Sequence, residues 1–361
     1  MRITDVYNSK AVAIVNEKVA SNEIPYLGVG FFPIEKKMGL DIKSVKTATG
    51  LPVSLMPSAF DTVSTIRSRE GFELQETEMA YFKESMLVKE KDRQDMMRVQ
   101  ESTDPYAQEI LGRIYDDANT LIAGAKVVPE RMRMSLLANE NGHPSISISA
   151  DGATYEYNYD PNNTYSAKNF LNVGAVDSKN YWTDTVNSDP IADIEKAIDA
   201  LDDNGVKVEY LLISKATMAL LRKNANIKDY ILAQNKTATV KVTDALVKSI
   251  VADLLGIQII VYNKKYKDEA GNTKQFYPDG MATLIPAGGA LGKTFYGTTP
   301  EEADLLDKAG VDCTIIDGVA VTVTTTTDPV QTKTTASEIV LPSFERMNET
   351  FMLKVEATVK Y

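Results

Sequence analysis

Residues 280–302, GMATLIPAGGALGKTFYGTTPEE, contain the most informative pattern in the sequence. Residues 281–285 are apolar and predict a short strand that ends at Pro286. A glycine-rich loop follows, and residues 293–296 predict a second short strand before a turn. The closing letters, TTPEE, supply an N-cap hydroxyl, a proline for the first helical turn and two early carboxylates. The stretch therefore predicts strand, loop, strand and helix in close succession.

A glycine loop beside a helix start is also a feature of phosphate-binding sites. Gly288, Gly289 and Gly292, however, fit neither the GxxxxGK[ST] spacing of a P-loop nor the GxGxxG spacing of a dinucleotide-binding turn. We therefore expect the loop to have a structural role, with nucleotide binding as the weaker alternative.

Composition limits the classes of function. The chain has 361 residues, of which 43% are apolar and 25% charged, so it is long enough for two domains and should fold. Its net charge of −11 argues against tight nucleic-acid binding, which needs a clustered basic face. The same charge does not exclude a position close to nucleic acid without binding.

The residues that most enzymes use are scarce. Cys313 and His143 are the single cysteine and the single histidine, which excludes an internal disulfide and a cysteine zinc site. Most other metal sites and histidine-based triads also lack the residues they need, and we expect His143 to be a turn residue. No pair of carboxylates stands out among the 50 acidic residues. We predict no catalytic residues, no metal and no cofactor, although an α/β enzyme that acts through carboxylates remains an alternative. No apolar run is long enough to predict a membrane span.

Several elements precede the opening stretch. Residues 76–102 have a thin apolar stripe at helical spacing and predict a charged helix. The spacing of apolar residues predicts a long helix over 104–128, which Pro129 breaks or kinks, and a shorter continuation over 130–139. Residues 144–160 alternate on both sides of an Asp-Gly pair and predict a hairpin. A polar linker over 161–188 then leads into α/β material.

Three segments carry a resemblance to a known family. They are LIPAGGALGKTFYGTTPEE at 284–302, LPSF at 341–344 and FMLKVEA at 351–357. With the order of elements, they resemble the lambda-type major head proteins of tailed phages, which have the HK97-like fold. The resemblance implies an α+β chain with five parts. These are an N-terminal arm with first strands (1–45), an extended loop and following helix (46–100), a peripheral domain with spine helix and hairpin (101–188), a compact α/β axial domain (189–325) and terminal strands that return to the peripheral domain (326–361).

The resemblance also implies a function. A protein of this family is a major capsid protein that assembles, as pentamers and hexamers, into the icosahedral shell around double-stranded DNA. Its partners would be other copies of itself, a separate scaffolding protein, a portal protein, in some phages a decoration protein, and packaged DNA by proximity alone, with no membrane. It would belong to the virion and assemble in the host cytoplasm. Another structural virion protein, such as a tail-tube or decoration subunit, is the alternative.

Assembly contacts are expected in the extended loop. Arg67, Arg69, Glu70 and Gly71 occupy a turn-rich stretch with little core of its own, and such long loops usually serve a partner. We expect Arg67 and Arg69 to pair with acids of an adjacent subunit. Pro129, and the linker over 161–188, are the predicted hinges between the different positions of a shell.

Overall fold

The computed structural model describes residues 25–46, 73–92, 94, 106–150, 153–233, 242–306 and 312–361. The α-helices in these residues are α1 Gly28–Phe31, α2 Tyr106–Leu137, α3 Thr164–Lys168, α4 Pro190–Asp202, α5 Lys215–Lys223, α6 Ala225–Ala233, α7 Asp244–Leu255 and α8 Pro300–Leu305. The strands before residue 200 are β1 Ile34–Lys36, β2 Asp41–Lys46, β3 Glu73–Glu78, β4 Ala80–Val88, β5 Ser145–Ala150, β6 Ala153–Asn158 and β7 Phe170–Asn172. The later strands are β8 Val208–Ser214, β9 Gln258–Tyr262, β10 Lys265–Lys267, β11 Thr273–Gln275, β12 Met281–Pro286, β13 Thr294–Tyr296, β14 Asp312–Ile316, β15 Val319–Thr327, β16 Val330–Pro342 and β17 Phe351–Lys354.

Contacts divide the chain into two compact units, each made of three separate stretches. The first unit comprises Met1–Ile42, Glu76–Arg131 and Lys293–Ser343, and the second comprises the remaining residues. Residues 293–325 thus group with the first unit, whereas we expected them to belong to the axial domain over 189–325. The reason is that β13 to β16 pair with one another and with β4, which is more than 200 residues earlier.

The first unit is built on a six-stranded sheet in which β16 is the central strand. The strand order is β1-β13-β16-β15-β14, and β4 pairs with the other side of β16. Alternate valines of β15 lie on one face of the sheet, where they contact apolar residues of α2 in a shared buried cluster. The members of this cluster are Leu121, Ile122, Val319, Val321, Val323 and Ala336.

The prediction of a charged helix over residues 76–102 is wrong for residues 76–88, which form strands, whereas residues 90–92 and 94 are helical. Met79, Phe82 and Met86 recur at intervals of three and four, which is the spacing of a helical stripe. In the structure β4 pairs with β16 along its whole length, so its backbone groups find partners in an extended conformation. Pairing with a distant strand outweighs the local periodicity.

The long helix is confirmed, but it does not end at Pro129. Helix α2 is a single element of 32 residues that contains this proline, so the predicted shorter continuation belongs to the same helix. The residues after the proline are strongly apolar, and Met132, Met134 and Leu136 are fully buried. Their burial stabilises the helical conformation beyond the point where the proline removes one backbone donor.

The second unit contains a five-stranded mixed sheet of order β7-β17-β12-β8-β9. The predicted start and end signals of its helices are confirmed. The Asp189 side chain accepts a hydrogen bond from the Ala192 backbone N–H at the start of α4. Gly256 ends α7 with a φ of 69°, a conformation that glycine adopts without steric cost. Helices α4, α5, α6 and α7 contribute to one apolar core with alternate residues of the sheet.

The predicted hairpin is confirmed as β5 and β6, which pair from Ser145–Asn158 to Ala150–Ala153. The prediction of a polar linker over 161–188 is wrong, because this stretch is packed into the second unit. It includes α3 and β7, and β7 pairs with β17 at the edge of the five-stranded sheet. Trp182 is fully buried and its Nε1–H donates to Asp193 Oδ2 at 3.1 Å. A few buried anchors thus order a segment whose composition is mostly polar.

Candidate functional site

The TTPEE sequence forms a capped helix start in the first unit. Thr299 is the N-cap of α8, and its fully buried side chain accepts a hydrogen bond from the Glu302 backbone N–H at 3.2 Å. Pro300 takes the first position of the helix, where its missing N–H leaves no bond unmade. This is the arrangement that the sequence predicted.

Glu301, the next residue of the helix, joins two strands through its carboxylate. Tyr81 and Lys83 lie two residues apart on one face of β4, and both donate to Glu301. Ser337 pairs with Lys83 across the sheet, and its hydroxyl donates to Glu301 Oε2 at 2.8 Å. Burial alone would raise the pKa of Glu301, but the bonds from Lys83 and Ser337 outweigh it and hold that pKa below its ordinary value.

Gly297 and Glu302 make further contacts between the helix start and the strands. The Gly297 N–H donates to the Ile339 carbonyl at 2.8 Å, and a Cβ at Gly297 would lie 2.6 Å from Ile339 Cγ2 and 2.9 Å from Met79 Cε. Lys36, on β1, donates to the Gly297 carbonyl at 3.1 Å and forms a salt bridge with Glu302. The segment therefore ties β1, β4 and β16 together, so its role is structural.

The glycine loop, in the second unit, presents carbonyl groups to a cation. The guanidinium of Arg346 donates to the carbonyl of Ala287 at 2.9 Å and to those of Gly288 and Ala290 at 3.4 and 3.5 Å. Glu349 forms a salt bridge with the same guanidinium. A phosphate site needs converging N–H donors, whereas here the oxygens converge. The geometry therefore opposes nucleotide binding at this loop.

The single cysteine and histidine have structural surroundings. Cys313 is half-buried on β14, with its Sγ 3.8 Å from the Glu301 carbonyl oxygen. His143 Nδ1 lies 3.5 Å from Asp160 Oδ2. Burial alone would raise the pKa of Asp160, but hydrogen bonds from the first residues of α3, including the Ser166 backbone N–H, lower it below its ordinary value. In the described part of the chain, no group of three or more His, Cys, Asp or Glu residues could hold a metal ion.

The predicted assembly residues are only partly placed. Arg67, Arg69, Glu70 and Gly71 lie outside the described residues. Pro129 is buried within α2, two residues before Arg131, the last residue of that stretch of the first unit. Its hinge role stays a prediction.

The residues that bind the TTPEE helix start and the glycine loop were not identified from the sequence. Each of them contacts a residue that is 36 to 220 positions away along the chain; they are Tyr81, Lys83, Ser337 and Arg346. The available signal was indirect. Two acids after a proline indicate a helix start, and one of them can be buried only if a cation lies near it.

Among solved structures, the fold matches proteins of phages and prophages. A phage-related protein from Bordetella bronchiseptica RB50 is 13% identical with a TM-score of 0.54, covering 94% of this chain and 96% of the other. A candidate capsid protein of an E. coli CFT073 prophage is 15% identical with a TM-score of 0.54, covering 97% and 99%. The capsid protein of cyanophage A-1(L) is 12% identical with a TM-score of 0.50, covering 93% of each chain. Among curated proteins no sequence match was found.

These matches show that the chain has the HK97-like capsid fold, as the sequence predicted. The sequence profile of the family "Phage major capsid protein E" matches residues 12–355, nearly the whole chain. The chain belongs to this family, so it is a shell-forming major capsid protein and a component of the virion. None of the described helices combines the length and apolar character that crossing a bilayer requires.

Proposed function

We propose that this chain forms pentamers and hexamers that close into an icosahedral shell around double-stranded phage DNA, after assembly in the host cytoplasm. The observation that carries the proposal is the family match over residues 12–355. The net charge of −11 supports a wall that lies near DNA without binding it specifically. A tail-tube or decoration role has no comparable support.

The extended loop is proposed as a lateral contact. Strands β2 and β3 pair with each other in a separate two-stranded sheet, and residues 47–72 connect them. This arrangement supports an extended loop that carries Arg67, Arg69, Glu70 and Gly71 to an adjacent subunit. We propose that the two arginines pair there with carboxylates.

Other partners are proposed on general grounds. We propose a separate scaffolding protein and a portal protein as partners of a shell that takes up DNA, with a decoration protein as a further candidate. We propose no catalytic activity, because the contacts of the TTPEE helix start and of the glycine loop are structural. Arg346 and Glu301 have protein partners that account for their position and charge.

Electron microscopy with sedimentation tests the proposal. The full chain is expressed alone and then together with candidate scaffold genes from the same phage region. We expect five- and six-fold capsomers or closed shells in at least one condition. A chain that is monomeric in every condition and gains thermal stability from a small ligand would contradict the proposal.

A further inference from the structure

A cleft of about 390 Å³ in the second unit combines positive charge with an apolar wall. It lies where α5 ends and α6 begins, and Val242, just before α7, lines one side. The residues that line it are Arg222, Lys223, Lys228, Ile231, Leu232 and Val242. Basic and apolar side chains in one concave surface favour a partner that has carboxylates next to apolar groups.

The positive charge of the cleft is only partly balanced within the chain. Arg222 donates to Asp244 at 2.9 Å. Lys223 and Lys228 are exposed, and no salt bridge among the described residues includes either of them. In a protein of net charge −11, this local excess of cations is unusual.

A matching acidic surface lies on another helix of the same unit. Glu195, Asp199 and Asp202 are spaced by four and three residues along α4, which places them on one face. All three are exposed, and we call them the acidic stripe. Helix α4 packs on β8 and β17, whereas α7, beside the cleft, packs on β9 at the sheet edge. Stripe and cleft are therefore separate patches of one molecule.

We propose that the cleft of one subunit binds the acidic stripe of a second copy of this chain. Lys223 and Lys228 then face the carboxylates of the acidic stripe, and the exposed Leu232 is covered by the neighbouring helix. A contact between two different patches is head-to-tail, and such contacts close into rings when the rotation between subunits allows it. The inference rests on the proposed function, because it assigns one lateral contact of the pentamers and hexamers.

Charge reversal on each side of the contact gives the test. One variant carries Lys223→Glu and Lys228→Glu, and a second carries Glu195→Lys and Asp199→Lys. Each variant places like charges across every contact of a ring, so we expect loss of capsomers in sedimentation and electron microscopy. A third variant with all four substitutions again has opposite charges at every contact. We expect it to recover both five- and six-fold rings.

Mixing the first two variants adds a condition that only a head-to-tail contact meets. Opposite charges face each other wherever the two variants alternate around a ring. Strict alternation is possible with six subunits and impossible with five. We therefore expect an equal mixture to recover six-fold capsomers without five-fold ones.

A matched control is Lys265→Glu with Lys267→Glu, which changes the charge equally at exposed positions of β10. We expect this variant to assemble like the wild type, and thermal unfolding should show that all variants are folded. The inference is overturned if the two charge-reversal variants are folded and assemble normally. It is also overturned if the four-substitution variant does not recover capsomers, or if the control variant fails to assemble. Normal assembly with a loss of duplex DNA binding in the first variant alone would assign the cleft to nucleic acid and also overturn it. A wild-type chain that never assembles contradicts the proposed function as well.

Discussion

Ser337 on β16 donates a hydrogen bond of 2.8 Å to the carboxylate of Glu301 at the start of α8. The two residues are 36 positions apart, and the same carboxylate also binds Lys83 on β4. One buried acid thus joins a helix to two neighbouring strands of the first unit. These contacts account for the position of Glu301, the first acid of the pair in the TTPEE sequence.

The first prediction concerns Glu301→Gln. The neutral side chain no longer balances Lys83, and the surrounding donors lose a charged acceptor, so we expect the free energy of unfolding to fall by about 1–3 kcal/mol. Denaturant unfolding of the unassembled chain measures this. The control is Glu302→Gln, whose partner Lys36 is 40% exposed and whose loss should cost about 0–1 kcal/mol. Equal losses for both variants would contradict the role given to Glu301.

The second prediction is a pH dependence of the same interaction. The pKa of folded Glu301 lies below the ordinary value of 4.5, so the unfolded chain takes up this proton first as the pH falls. The stabilisation is fully present above pH 4.5 and is lost as the pH falls through the folded pKa. We expect the wild type to lose stability more steeply than Glu301→Gln when unfolding is measured from about pH 6 to pH 3. Parallel curves would contradict this.

Local signals in the sequence predicted those elements whose causes are local. The N-cap at Thr299, the C-terminal glycine at Gly256 and the two-residue hairpin between β5 and β6 each depend on a few adjacent residues. The sheet pairing of β4 depends on β16, about 250 residues later, and its own spacing of Met79, Phe82 and Met86 also fits a helix. No local rule could distinguish the two.

The contacts of Glu301 with β4 and β16, and those of Arg346 with the glycine loop, could not be predicted for the same reason. Arg346 follows the glycine loop by more than 50 residues, and nothing near it in the sequence indicates that it will collect three carbonyl groups. The segment over 161–188 contains few apolar residues, and the burial of Trp182 against Asp193 could not be inferred from composition. Tertiary contacts decided each of these features.

The third prediction compares two glycines that both have space for a methyl group. Gly289 has a φ of 102°, so Gly289→Ala should destabilise the chain by about 1–3 kcal/mol through backbone strain alone. Gly124 lies exposed within α2, and Gly124→Ala should stabilise by about 0.5–1 kcal/mol through helix propensity. Thermal unfolding should show shifts of opposite sign. A stabilising Gly289→Ala would show that the loop adopts another conformation in solution.

The fourth prediction tests the extended loop. Reversing the charges of Arg67 and Arg69 to glutamate should leave the monomer folded and stop assembly, because each pair with a neighbouring acid becomes a repulsion. A single exposed pair contributes only about 0–1 kcal/mol, so the effect depends on repetition around the shell. Circular dichroism reports folding, and electron microscopy reports particles. Normal shells from the double variant would rule out this contact.

The fifth prediction concerns Pro129. The proline lacks the N–H that would bond the carbonyl four residues earlier, so α2 has a weak point two residues before Arg131, where the chain passes from one compact unit to the other. Pro129→Ala supplies this donor and should stiffen the helix, which restricts the range of subunit conformations that a closed shell requires. We expect fewer closed particles and a shifted diameter distribution in electron microscopy. Gly124→Ala, which strengthens the same helix away from the weak point, should leave particle size and yield unchanged. An unchanged diameter and yield with Pro129→Ala would remove the hinge role.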